Sequence, residues 1–234
     1  MKLISFLIFF FFAFYANAQW VDIPDENFRN ALKELFPNCF NSNNQLNTNC
    51  NDIKSCTILN LKRKNIKNLE GIKHFPNLEE LNCSYNSLVS IPVLPLKLKY
   101  FDCSHNEIQT FSNLPANLLE LDCSYNQIKT LPTLPNFIRI FYCVENQITG
   151  FSNLPEKLND FDCSYNQLVE LPSFNTKDEL LVKIDCSHNS KLKCLPDLPE
   201  SVKELLISGT QIQCIPNKPK KLNKELSICS TKCK

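Results

Sequence analysis

One short phrase recurs along this chain at a fixed interval. Leu81-Asn82-Cys83-Ser84-Tyr85-Asn86 returns as Phe101-Asp102-Cys103-Ser104-His105-Asn106 and again as Leu121-Asp122-Cys123-Ser124-Tyr125-Asn126. It returns twice more, as Phe141-Tyr142-Cys143-Val144-Glu145-Asn146 and Phe161-Asp162-Cys163-Ser164-Tyr165-Asn166, each step being 20 residues. A constant period of this size predicts a solenoid, in which a repeat buries its apolar face only against its neighbours. Such a molecule presents surface and usually lacks a deep pocket with a preassembled catalytic group.

The physics of one unit follows from alternation. Side chains of a strand point to opposite faces in turn, so Leu121 and Cys123 face the core while Asp122 and Ser124 face out. Cysteine at that position acts as a small buried hydrophobe. Disulfides along the column are not expected, because neighbouring parallel strands send their side chains the same way. A metal stripe is not expected either, since Leu and Phe flank each thiol and no His joins them. The asparagine column, Asn86, Asn106, Asn126, Asn146, Asn166 and Asn189, is read as structural, with amides satisfying backbone groups that no regular ladder reaches. The Leu-Pro phrases, as at Leu131–Pro135, predict an extended return segment, because proline removes a donor and biases its predecessor away from the helical region.

The unit reads L-x-x-L-x-C-S-x-N-x-[IL]-x-x-[LF]-x-x-L-P, and it resembles the leucine-rich repeat family. Leu78, Leu81, Cys83, Asn86, Leu88 and Ile91 fill that family's positions in one unit, and Leu118, Leu121, Cys123, Asn126, Ile128 and Leu131 in another. The Leu-x-Cys-Ser-x-Asn-x-Leu form is similar to secreted repeat proteins of the Bacteroidetes. The resemblance implies an α/β-type repeat solenoid: a parallel sheet on the concave face, a mostly extended, Pro-rich convex side and a short helical cap at the N-terminus. It supports interaction in general and names no ligand.

The ends differ from the middle. Lys2 followed by the apolar run Leu3 to Tyr15 and Ala16-Asn17-Ala18 reads as a signal peptide, 1–18, with a mature chain from Gln19. The run is too short for a retained membrane anchor, which needs about 20 apolar residues, and no later segment is apolar enough to cross. Residues 19–56 form an N-terminal cap, with Pro24 in the first turn of a helix whose Phe28, Leu32 and Leu35 share one face. Residues 57–221 hold about eight repeats, and 222–234 form a C-terminal cap. In the first repeat Asn68-Leu69-Glu70-Gly71-Ile72 replaces the proline phrase. Export makes disulfides the expectation among Cys39, Cys50 and Cys56, one of which stays free because the count is odd, and among Cys194, Cys214, Cys229 and Cys233. Connectivity is open. Asn49-Cys50-Asn51-Asp52 has one acid and no glycine, so no calcium site is expected there, and neither a metal nor another cofactor is expected elsewhere.

The formal charge is +1, with no basic stripe, which argues against nucleic acid as a partner. The strands' outward columns are acidic and hydroxyl-rich, edged by Tyr85, His105, Tyr125, Glu145, Tyr165 and His188. One repeat breaks the pattern with Arg139, Ile140, Tyr142, Val144 and Glu145. Exposed Ile, Tyr and Val with a nearby Arg have the chemistry of an interface hot spot. The candidate binding residues are therefore these five with Tyr125, Tyr165, Asp122 and Asp162. No catalytic residues are assigned. His74, His105 and His188 are scattered, and no Ser-His-Asp or His-Glu-x-x-His arrangement occurs. Some bacterial effectors with similar Leu-Pro repeats carry a separate ubiquitin-ligase domain, which is expected to be absent, as the chain reaches Lys234 soon after its last repeat. The reading is a non-catalytic binding module, exported to the periplasm, cell surface or medium, that recognises protein, or alternatively a surface glycan, through its concave face. The competing reading is a structural or adhesion spacer without a specific ligand.

Overall fold

The computed structural model describes residues 19–177, 180–222 and 227–229. Residues 1–18, read above as a signal peptide, and Cys233 lie outside the described residues. Eight three-residue strands, Ile58–Asn60, Glu80–Asn82, Tyr100–Asp102, Glu120–Asp122, Ile140–Tyr142, Asp160–Asp162, Lys183–Asp185 and Glu204–Leu206, form one parallel sheet in chain order. The register is unbroken. Leu59, Leu81, Phe101, Leu121, Phe141, Phe161, Ile184 and Leu205 pair successively and all are buried. The chain is a leucine-rich solenoid because each coil supplies one inward Leu or Phe and one inward Cys at the same height.

The thiols do as their burial requires. Cys83, Cys103, Cys123, Cys143, Cys163 and Cys186 are all free and buried. Burial pushes the thiols of Cys83, Cys103, Cys123, Cys143 and Cys163 well up, away from reactivity. From Cys103 onward each S–H points at a carbonyl of the next coil, as in Cys103 Sγ to Asp122 O at 3.5 Å and Cys163 Sγ to Asp185 O at 3.4 Å.

The convex side is extended, with a reverse turn in each of four central coils. The carbonyls of Pro95, Pro115, Pro135 and Pro155 accept the N–H three residues on, from Leu98, Leu118, Ile138 and Leu158. Proline therefore opens each turn, where its missing N–H costs nothing. In the first repeat this is replaced by a single 3-10 turn, Ile72–His74, entered through Gly71 at φ 108°. A side chain at Gly71 would run into Ile23 of the cap, so glycine there serves both the left-handed backbone and the lid's close approach.

The cap helix, α1 (Glu26–Leu35), is set by Asp25. Asp25 Oδ1 accepts from Phe28 N at 2.8 Å, and its Oδ2 accepts from Lys67 N and Asn68 N at 2.9 and 3.1 Å. One carboxylate both starts the helix and fastens it to the first repeat. Two details of the expected lid change. Pro24 lies before the helix, because Asp25 takes the capping position. The buried stripe is Phe28, Ala31 and Leu32, with Leu35 exposed, because the helix meets the solenoid on its first two turns. A short second helix, α2 (Asn51–Ser55), follows Cys50 in the cap. Cys39 bonds to Cys50 and Cys214 to Cys229, Cys194 is also disulfide-bonded, and Cys56 keeps its thiol.

Candidate binding surface

Two outward columns run across the concave sheet. One reads Ile58, Glu80, Tyr100, Glu120, Ile140, Asp160, Lys183, Glu204; the other reads Asn60, Asn82, Asp102, Asp122, Tyr142, Asp162, Asp185, Leu206. Together they carry eight carboxylates and one lysine, in a chain whose formal charge is +1. The acid is therefore segregated onto this face.

The face is not flat. Between the second and fifth strands lies a depression of about 440 Å³, walled by Glu80, Asn82, Tyr100, Asp102, Glu120, Asp122, Ile140 and Tyr142. Ile140 and Tyr142, the residues that break the repeat, form one wall, and Tyr100, 39% exposed, faces them across it. Tyr142 is held in place: its hydroxyl donates to Asp160 Oδ2 at 2.9 Å. Burial and that carboxylate push the phenol's pKa up, so it stays a donor. The other oxygen, Asp160 Oδ1, is buried and has no hydrogen-bond partner among the described residues. A buried carboxylate oxygen without a donor is costly.

The outward serines are not part of this surface. Ser84, Ser104, Ser124, Ser164 and Ser187 are buried, contrary to simple alternation. The chain turns after each cysteine, and the side chain two residues earlier caps the turn. Asp102 Oδ1 accepts from Ser104 N at 3.0 Å and Ser104 Oγ at 2.7 Å, and Asp162 does the same for Ser164 at 3.0 and 2.6 Å. This is an Asx-type turn. It explains why the column is Asp or Asn in the five coils where a buried Ser follows two residues later; Leu206, before the exposed Ser208, is the exception. In the irregular repeat Tyr142 cannot cap, and the Val144 N–H instead donates to Ser124 Oγ of the preceding coil at 3.2 Å.

Burial disfavours the ionised carboxylate of Asp122 and raises its pKa above the usual carboxylate range, although hydrogen bonds from Ser124 oppose the shift; Asp162 behaves alike. The folded state thus keeps the proton to higher pH than the unfolded chain, so these groups add stability as pH falls through the raised pKa and cost stability at neutral pH. Asn82 occupies the same position and makes the same turn, accepting from Ser84 N at 3.0 Å and Ser84 Oγ at 2.7 Å. Asp122→Asn is accordingly expected to raise the melting temperature at pH 7, with the gain vanishing near pH 3. Thermal unfolding at both pH values checks this; a variant no more stable than the parent at pH 7 would contradict it.

Solved structures similar to this chain share its fold. YopM from Yersinia enterocolitica is 28% identical with a TM-score of 0.52, over 63% of this chain and 36% of that one. A leucine-rich effector protein from Yersinia pestis, also YopM, is 27% identical with a TM-score of 0.64, over 81% and 55%. A Shigella effector leucine-rich repeat domain is 28% identical with a TM-score of 0.53, over 68% and 72%. The chain is a bacterial leucine-rich repeat protein. No family model matches its sequence, and a search of curated proteins gives no match. It spans 36% and 55% of the length of the two YopM chains.

Within this leucine-rich repeat protein the sequence-predicted binding residues fall into two groups. Asp122, Ile140 and Tyr142 line the depression. Tyr125, Glu145 and Tyr165 stand on the strand-exit edge, with Val144 half-buried between edge and sheet and Arg139 exposed at the strand entry. Asp162 lies one coil beyond the depression, paired in register with Tyr142. Sequence reasoning missed the entry column, Glu80, Tyr100, Glu120 and Asp160, although the same alternation that placed Asp122 outward places Glu120 outward as well. It had no means of finding the unsatisfied Asp160 oxygen, which depends on where Tyr142 reaches. Among the described residues Cys39, Cys50 and Asp52 bring metal-type ligand atoms together, but the two sulfurs are bonded to each other.

Proposed function

We propose that the protein is a non-catalytic binding module whose concave sheet captures a polypeptide segment carrying basic and apolar side chains. The observation that carries this reading is the pairing of an acidic face with an apolar break in its middle. Ile140, Tyr142 and Tyr100 supply the desolvated anchor, and Glu80, Asp102, Glu120 and Asp122 around them favour a cation and speed its approach. Extended concave surfaces are how solenoids commonly bind. The module works outside the reducing cytoplasm, in keeping with the Cys39–Cys50 and Cys214–Cys229 disulfides. No helix among the described residues is long and apolar enough to cross a membrane.

Site-directed photocrosslinking tests this reading. A photoreactive residue in place of Tyr142 is expected to trap a protein from bacterial-envelope or host-surface extracts. The same group in place of Leu96, 80% exposed on the convex side, is expected to trap none. Glycan adducts, equal adducts from both positions or adducts from Leu96 alone would overturn the proposal.

A further inference from the structure

One residue at each strand exit is left-handed: Arg63, Tyr85, His105, Tyr125, Glu145, Tyr165 and His188 all have φ between 52° and 57°. The shared conformation sends these side chains to one edge, a rung per coil. Tyr85 stacks on His105 with centroids 4.1 Å apart and planes 15° apart, His105 on Tyr125 at 4.2 Å and 7°, and Tyr165 on His188 at 4.1 Å and 14°. Two cations lie over the Tyr85 ring of the first stack, Arg63 Cζ at 4.7 Å and Lys62 Nζ at 4.9 Å from its centroid.

The other end of that stack is open. Between Tyr125 and Tyr165 the rung is Glu145, which is exposed, and its carboxylate has no hydrogen bond or ion pair among the described residues. Two coils of a parallel sheet are roughly 9 Å apart, room for one planar group between the two ring faces. Ring faces carry negative potential, so a carboxylate flanked by two of them lacks the cation that would suit all three. Among biological cations the guanidinium is planar, stacks on aromatic faces and offers forked donors to a carboxylate, whereas an ammonium does not fill a flat slot. Arg63 on Tyr85 shows the same contact made within the chain.

We propose that the missing rung is an arginine-binding site, in which the guanidinium of a partner's side chain stacks between Tyr125 and Tyr165 and pairs with Glu145. It rests on the reading of the partner as a basic polypeptide only for the source of the arginine; the geometry stands by itself.

The test is a titration of the protein beginning at Gln19 with Nα-acetyl-arginine amide, followed by NMR of the tyrosine rings. The citrulline analogue, planar but uncharged, and the lysine analogue, charged but not planar, are the comparisons. Expected are saturable shifts of the Tyr125 and Tyr165 signals, with a Kd on the order of 10 mM, and binding weaker by at least about threefold for either analogue. Glu145→Tyr completes the aromatic stack and is expected to abolish the shifts. No saturable shift with the arginine derivative, equal binding of citrulline, or binding retained in Glu145→Tyr would overturn the assignment. An Ile140→Asp/Tyr142→Ala variant separates the two readings. It leaves the rung intact, so arginine binding persists in it when the slot is right, whatever becomes of concave-face capture.

Discussion

Asn166→Ala is expected to destabilise the protein by about 3 kcal/mol or more, lowering its melting temperature by about 10 °C. The side chain is only 8% exposed and ties two coils together. Its Nδ2 donates to Cys143 O of the preceding coil at 2.8 Å and to Cys163 O and Ser164 O of its own coil at 3.2 and 3.1 Å. Its Oδ1 accepts from Ile148 N at 2.9 Å. Truncation leaves several buried backbone groups without partners, at ~1–3 kcal/mol for each that water cannot reach. Because a solenoid is held by contacts between adjacent repeats, the loss falls on the coupling between coils. Exposed Gln167→Ala serves as the control and is expected to change little. Urea and thermal unfolding measure both, and a loss under about 1 kcal/mol for Asn166→Ala would show that the asparagine column does not hold the coils together.

The repeat made the architecture readable, because a fixed period with one inward Leu or Phe and one inward Cys per coil admits a single stacking. Alternation alone was misleading at the serines. It placed Ser104 and Ser164 on the surface, whereas the turn capped by Asp102 and Asp162 rotates them inward. The cap helix was legible from Phe28 and Leu32, but its start depended on Asp25, whose second oxygen reaches residues some forty positions away. The candidate site was half legible. Ile140 and Tyr142 announced themselves by breaking a repeated phrase, while Tyr100 and Glu120 belong to a column whose residues vary from coil to coil and so gave no signal. The open rung at Glu145 required the stacking of Tyr125 on His105 and Tyr165 on His188 to be seen as a gap.

The double substitution Ile140→Asp/Tyr142→Ala is expected to weaken partner binding by about 100-fold or more, since two central anchors of an interface are each worth ~2 kcal/mol when removed. The aspartate adds a charge in register with Glu120 and Asp160, and loss of the phenol removes the donor to Asp160 Oδ2. Both side chains lie on the outer face of the sheet, so the inward Phe141 and Cys143 are left in place. The measurement is the affinity of the folded variant and the parent, with matched melting temperatures, for a protein captured by the parent from bacterial-envelope or host-surface extracts. Expected is a partner that binds the parent in a salt-sensitive manner and is lost from the variant. Equal affinity for both proteins, or no captured protein at all, would contradict recognition through the concave face.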